Sequence, residues 1–135
     1  MPNKAWALDT EHPIAIDSYD HIEPKLYEGE DLSYNLTFNK KLYQICGTPI
    51  SILDIGCGAG SFVKTVIDDG YDAVGLEGSF HPRDMGMIGW KTVPYNLFTC
   101  DVTYPFILHT GDHIPYQFDV VTAWEFVEHI VETDL

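Results

Sequence analysis

Residues 50–61, Ile50-Ser51-Ile52-Leu53-Asp54-Ile55-Gly56-Cys57-Gly58-Ala59-Gly60-Ser61, decide how the rest of the chain is read. Ile50, Ile52, Leu53 and Ile55 form a short apolar run interrupted only by Ser51 and Asp54, the pattern of a strand covered on both faces in a parallel sheet. Gly56, Gly58 and Gly60 follow, and glycine lets backbone turn sharply and come close to a ligand. Phe62, Val63, Val66 and Ile67 then recur on one side of a helix. The order strand, glycine loop, helix offers the N–H groups of a helix start to a ligand.

Spacing and one charge narrow that ligand. A dinucleotide fingerprint would place its third small residue at Ser61, whereas the third glycine here is Gly60. Asp54 stands near the end of the strand, where a carboxylate repels a pyrophosphate and attracts an ammonium. S-adenosylmethionine carries an α-ammonium and a sulfonium and no phosphate, so the electrostatics favour it over NAD or ATP. No G-K-[ST] follows the glycines, which excludes a P-loop. The plainer alternative is an α/β loop that holds nothing, since three glycines alone are weak evidence.

The run Asp54-Ile-Gly-Cys-Gly-Ala-Gly60 resembles motif I of the class I S-adenosylmethionine-dependent methyltransferases, and the resemblance extends from Ile50 to the C-terminus. It implies a Rossmann-like α/β fold and cofactor contacts from Asp54, Gly56, Cys57, Gly58 and Gly60. In that family the sheet has seven strands in the order 3-2-1-4-5-7-6. The sequence supplies strands one to four and part of the next helix. The expectation is therefore a parallel sheet of order 3-2-1-4, truncated before strands 5–7, with the cofactor half present and much of the substrate half missing.

Two further acids fall where such a fold needs them. Ala73 to Leu76 reads as the second strand, and Glu77 lies 21 residues beyond Gly56, near the separation at which nucleotide folds place an acid on the ribose. Its two oxygens can accept from a vicinal diol in a fork; the plainer reading is a solvent-facing glutamate. Gly78 follows as a further cofactor contact. Val93 to Phe98 reads as the third strand, leading to Asp101 and Val102. The resemblance implies that Asp101 accepts from the adenine amino group and that the Val102 N–H meets a ring nitrogen. Between these strands, Gly78 to Trp90 reads as an irregular loop with a helical turn near His81 to Met87, and Met85, Met87 and Trp90 read as core packing.

Phe118 to Ala123 reads as the fourth strand. With the following Trp124-Glu125-Phe126-Val127-Glu128-His129-Ile130 it resembles motif IV and the next helix of the ubiquinone-biosynthesis-like branch, and also a marine-phage-like group with Trp-Glu at this point. The resemblance implies that Ala123 and Trp124 border the methionine half of the cofactor. Glu125, Glu128 and His129 share one helix face at i, i+3 and i+4. Two carboxylates and an imidazole suit Mg²⁺ or Mn²⁺, and the E-x-x-E-H string is similar to that of the RNA 3′-end methyltransferases, where it ligates metal. His129 or Glu125 can also serve as a general base. A solvated helix face is the plainer reading.

The remaining segments say less. Leu32 to Cys46 reads as a helix ended by Gly47-Thr48-Pro49. Met1 to Glu30, broken by Pro2, Pro13 and Pro24 and rich in acids, reads as an irregular arm. If the arm acts as a lid, His12, Tyr19, His21 and Tyr27 become candidate contacts. His109, Asp112 and His113 look metal-like, but Pro105, Gly111 and Pro115 make a loop the better reading. The chain thus divides into residues 1–48, arm and helix, and 49–135, an incomplete S-adenosylmethionine-binding domain.

Composition bounds the function. A chain of 135 residues builds one core. The net charge of −14 makes it a poor partner for phosphate backbones, so no nucleic acid is expected, and no apolar stretch reaches membrane-spanning length. Three cysteines without C-x-x-C spacing point to reduced thiols in a cytoplasmic setting. These features favour methyl transfer to an oxygen, nitrogen or carbon of a small molecule. The alternative is a non-catalytic cofactor-binding or interaction module. The uncovered edge of the fourth strand suggests a homodimer.

Overall fold

Four parallel strands carry the candidate site in the computed structural model, which describes residues 4–16 and 35–124. The described elements are β1 (Ala7–Thr10), α1 (Leu36–Cys46), β2 (Ser51–Ile55), α2 (Ser61–Asp68), β3 (Asp72–Glu77), α3 (His81–Asp84), α4 (Ile88–Thr92), a 3-10 turn (Pro94–Asn96), β4 (Leu97–Thr99), β5 (Phe106–His109) and β6 (Val120–Ala123). The main sheet runs β4-β3-β2-β6, the order expected for a Rossmann-like methyltransferase fold through its fourth strand. Every pair in it is parallel, with Ile55 level with Leu76 on one side and Ala123 on the other.

The sheet is buried on both faces because its strands are apolar on both. Ile52 and Ala73 point into a cluster with Phe62, Val63, Val66 and Trp90, covered by α1 and α2. Leu53, Val74 and Leu76 point the other way, to Cys100 and Leu108. Asp119 fixes the start of β6 against β2. Its carboxylate accepts from the Ser51 backbone N–H (2.8 Å) and hydroxyl (3.1 Å), and its own N–H donates to the Ser51 carbonyl (3.0 Å). Helix α1 begins at Asn35, whose side chain accepts from the Phe38 N–H (3.1 Å), and ends at Gly47.

Three elements differ from their sequence patterns. The third strand is only Leu97–Thr99, because Pro94 lacks an N–H for a ladder and starts a 3-10 turn instead. Asn96 then donates its side-chain amide to the Ala73 carbonyl (2.9 Å), standing in for a strand N–H. Helix α4 occupies Ile88–Thr92 and begins inside the stretch Gly78 to Trp90, which reads as an irregular loop. The arm is not wholly irregular: Ala7–Thr10 pairs antiparallel with Phe106–His109, which reads as loop. This ribbon covers the second sheet face. Trp6 stacks on Phe118 at 5.3 Å and meets Tyr116 edge-on at 4.8 Å. The ribbon is held by apolar contacts to the sheet rather than by continuing its ladder.

Candidate functional site

The carboxyl ends of β2, β3, β4 and β6 bring most of the expected residues to one edge of the sheet. Gly56, Gly58 and Gly60 all take positive φ, at 73°, 55° and 80°, so the loop needs residues without a Cβ. The N–H groups of Gly56 and Cys57 both donate to the Leu76 carbonyl, at 2.8 and 3.0 Å, which folds the loop back over β3. Gly60 is the N-cap of α2 and supplies no side chain to its first turn.

Helix α4 grips the loop from outside. The Trp90 indole N–H donates to the Gly58 carbonyl (2.9 Å), and the Gly89 N–H donates to the Ala59 carbonyl (2.7 Å). A Cβ on Gly89 would lie 2.6 Å from the Gly60 Cα, so the two backbones meet directly. Trp90 is buried in the core, as the sequence suggests, whereas Met85, which also reads as core, is 61% exposed. The Trp90 bond to the loop has no sequence signal, because nothing in the spacing aims an indole at a carbonyl 32 residues away.

Glu77 closes the loop from the other side. One carboxylate oxygen accepts from the Gly58 N–H (3.0 Å) and the other from the Ser79 N–H (2.9 Å). Each oxygen keeps a second lone pair for a ligand hydroxyl. Asp54 is 2% exposed and accepts from the Thr122 hydroxyl at 2.8 Å. Burial pushes its carboxyl up to about 7; the Thr122 hydrogen bond opposes the rise and the nearby Glu77 charge adds to it. Among the described residues no cationic side chain pairs with Asp54. Cys57 is buried beneath the loop, and desolvation first, then the Glu77 and Asp54 charges, raises its thiol well above the ordinary range. A thiol so held is a packing group rather than a nucleophile.

Asp101 is buried just beyond β4, and one carboxylate oxygen accepts from the Thr103 N–H (3.0 Å) and hydroxyl (2.6 Å). Val102 is half-buried beside it. Ala123 ends β6 level with Ile55, and the next residue, Trp124, packs edge-on against Phe38 (4.8 Å) and Phe62 (5.7 Å). Gly78 follows Glu77, and a Cβ there would lie 2.9 Å from the Cβ of Ala15 in the arm. Glu125, Glu128 and His129 lie outside the described residues, as do Tyr19, His21 and Tyr27.

A second cluster joins the arm to the ribbon. Donor atoms of Asp9, His109 and His113 lie within 4.8 Å of one another, so the acid beside the two histidines comes from the arm. Asp112 instead accepts from the Ile114 N–H (3.0 Å) in a local turn. The donor set resembles a metal site, but its tautomer is wrong for one. The Gly111 N–H donates to His109 Nδ1 (3.0 Å), which leaves the proton on Nε2, facing Asp9 Oδ1 at 3.1 Å. A ligating imidazole needs that nitrogen bare and its other N–H donated outward. The cluster is a carboxylate held between two imidazoles, with His113 Nδ1 at 2.7 Å from Asp9 Oδ2.

Among known proteins, a family model described as a methyltransferase domain matches residues 27–133. No curated protein and no solved structure matches the chain.

Proposed function

The chain belongs to the methyltransferase domain family, a class I S-adenosylmethionine-dependent family, and from that premise we propose that it transfers a methyl group to a nucleophilic atom of a small molecule. The observation that carries the reading is Asp54: a carboxylate 2% exposed, raised to about 7, with no cationic side chain paired to it among the described residues. Such a group favours a ligand that brings its own positive charge. S-adenosylmethionine brings an α-ammonium, whereas NAD and ATP bring phosphates.

The residues present fit this cofactor. Asp54 would hold the ammonium, and the start of α2, with its positive dipole end, suits the cofactor's carboxylate. Glu77 is already oriented by Gly58 and Ser79, and would take the ribose hydroxyls. Asp101 and Val102 stand one strand further along, where the adenine would lie. When bound, the cofactor supplies a methyl group already activated by its sulfonium. The protein's part is then to orient and to exclude water, an alignment worth several kcal/mol of barrier. Trp124, 43% exposed beside Ala123, would border the acceptor. A proton is removed only when the nucleophile carries one; the base we propose is His129 or Glu125. A metal on Glu125, Glu128 and His129 rests on spacing alone. Mn²⁺ should then raise the melting temperature, and His129→Ala should abolish the rise.

The acidic surface favours a small acceptor over a nucleic acid. Among the described residues no helix is long and apolar enough to cross a membrane. Calorimetry with S-adenosylhomocysteine and NAD tests the cofactor: micromolar binding of the first and none of the second is expected. Binding of NAD alone would sink the reading. Turnover of S-adenosylmethionine with a panel of hydroxyl, amine and carbon acids separates an enzyme from a cofactor-binding module.

A further inference from the structure

The arm does more than cover the sheet. Beyond β1 the chain turns at His12, whose N–H donates to the Thr10 hydroxyl oxygen (3.0 Å), and then crosses the carboxyl ends of β4 and β3 in turn. The His12 carbonyl accepts from the Asp101 N–H (2.9 Å), and the Ala15 N–H donates to the Gly78 carbonyl (2.9 Å). The His12 ring lies on the Tyr104 ring with centroids 3.7 Å apart and planes 17° from parallel. At Gly78 the two backbones come so close that a Cβ would meet the Ala15 Cβ at 2.9 Å.

We infer that residues 12–15 form a wall of the cofactor site at its nucleoside end, so that the ligand is held between the sheet edge and the arm. This rests on the reading of the site as one for S-adenosylmethionine. Of the two residues that the arm bonds, Gly78 directly follows β3 and Asp101 lies two residues past the end of β4, the two strands that would flank the nucleoside. The arm takes the inner N–H of Asp101 and leaves the Val102 N–H without a partner among the described residues. It therefore borders the proposed adenine position without using the donor proposed to read it. The crossing is made by backbone bonds at both strands, so the arm is placed by the same two residues that place the ligand. Ligand binding and arm docking are then linked: each favours the other by the same free energy.

The test uses the full chain and S-adenosylhomocysteine. Ala15→Pro removes the N–H given to Gly78, and His12→Ala removes the ring stacked on Tyr104. Each should raise the dissociation constant several-fold, by analogy with loss of one hydrogen bond or one stack. The ligand should also slow amide exchange in residues 7–16 of the parent chain. Exchange remains a readout if Ala15→Pro folds poorly. Parent binding with unchanged affinity in both variants, or with unchanged exchange in the arm, overturns this inference and leaves the cofactor reading intact. No binding by the parent overturns both.

Discussion

Asp54 couples the site to pH in a direction that the pKa fixes. Its folded value, about 7, lies above the ordinary aspartate value of 3.8. The native state therefore binds more protons between these values, and the group's contribution to stability is full below about pH 4 and lost as pH rises through 7. The size of that loss is on the order of 4 kcal/mol. Asp54→Asn keeps an acceptor for Thr122 and removes the ionisation, so above about pH 8 it should melt no lower than the parent. It should lose the ligand-induced rise in melting temperature at the same time. A cationic ligand reverses the shift: at about pH 6, binding should release up to roughly one proton, read from calorimetry in buffers of different ionisation enthalpy. Proton uptake would mean that no cation faces Asp54. Glu77→Ala should weaken binding by about 1.5–3 kcal/mol, as loss of hydrogen bonds to a charged group does; an unchanged affinity would remove it from the ribose role. Both acids are legible in the sequence because strand ends and glycine spacing constrain them. Thr122, Trp90 and Ala15 are not, because their partners are chosen by packing between distant segments.

The parallel strands are legible for a related reason: an element buried on both faces carries apolar residues on both, as β2 does with Ile52, Leu53 and Ile55 and β3 with Ala73, Val74 and Leu76. The ribbon hides because its strands have four residues each and carry polar ends, Thr10 and His109, beside turn-forming residues. Phe106-Ile107-Leu108 is the signal that was available, an apolar run between Pro105 and Gly111. The arm's attachment to this ribbon is proton-linked. Asp9 is lowered first by its bond to His113 and then by its bond to His109, while His113 is raised by the Asp9 bond and charge, with a smaller push from Asp112. His113 contributes fully below about pH 6.5 and progressively less as pH passes its raised value, and Asp9 contributes above about pH 4. Opening of β1, measured by exchange corrected for intrinsic rates, should grow from about pH 6 to pH 8. In His113→Ala that growth should flatten; an equal slope in both proteins would assign the pH dependence elsewhere. At the glycine loop, Trp90→Phe retains the ring and removes the indole N–H. It should cost about 0.5–1.5 kcal/mol of stability and weaken ligand binding with it. Loss of stability alone would make α4 a core element with no hold on the site.

At the scale of the molecule the exposed side of β6 is the place to look for association. Leu53 and Val121 are level in adjacent strands, yet Leu53 is 8% exposed and Val121 61%. Trp124, next to the end of this strand, is 43% exposed. β6 pairs with β2 alone among the described residues, and no described strand lies on the other side of its backbone. Water can satisfy those N–H and C=O groups, but it does not satisfy Val121 and the Trp124 ring, whose full burial is worth roughly 1.5–3 kcal/mol each. Two copies related by a two-fold axis bury each residue twice, and a two-fold dimer is the commonest closed assembly. The net charge of −14 opposes this, but salt screens exposed charges over about 8 Å at physiological strength. A pair of neutral ladder edges is affected less by that repulsion than a charged face would be. We therefore predict a symmetric dimer through β6, with association stronger in moderate salt than in low salt. Sedimentation of the parent at low micromolar concentration should give the dimer, and Val121→Lys should give a monomer that still melts cooperatively. A parent that sediments as a monomer in moderate salt, with a single cooperative melt, would refute this, because the β6 edge would then be covered within one chain.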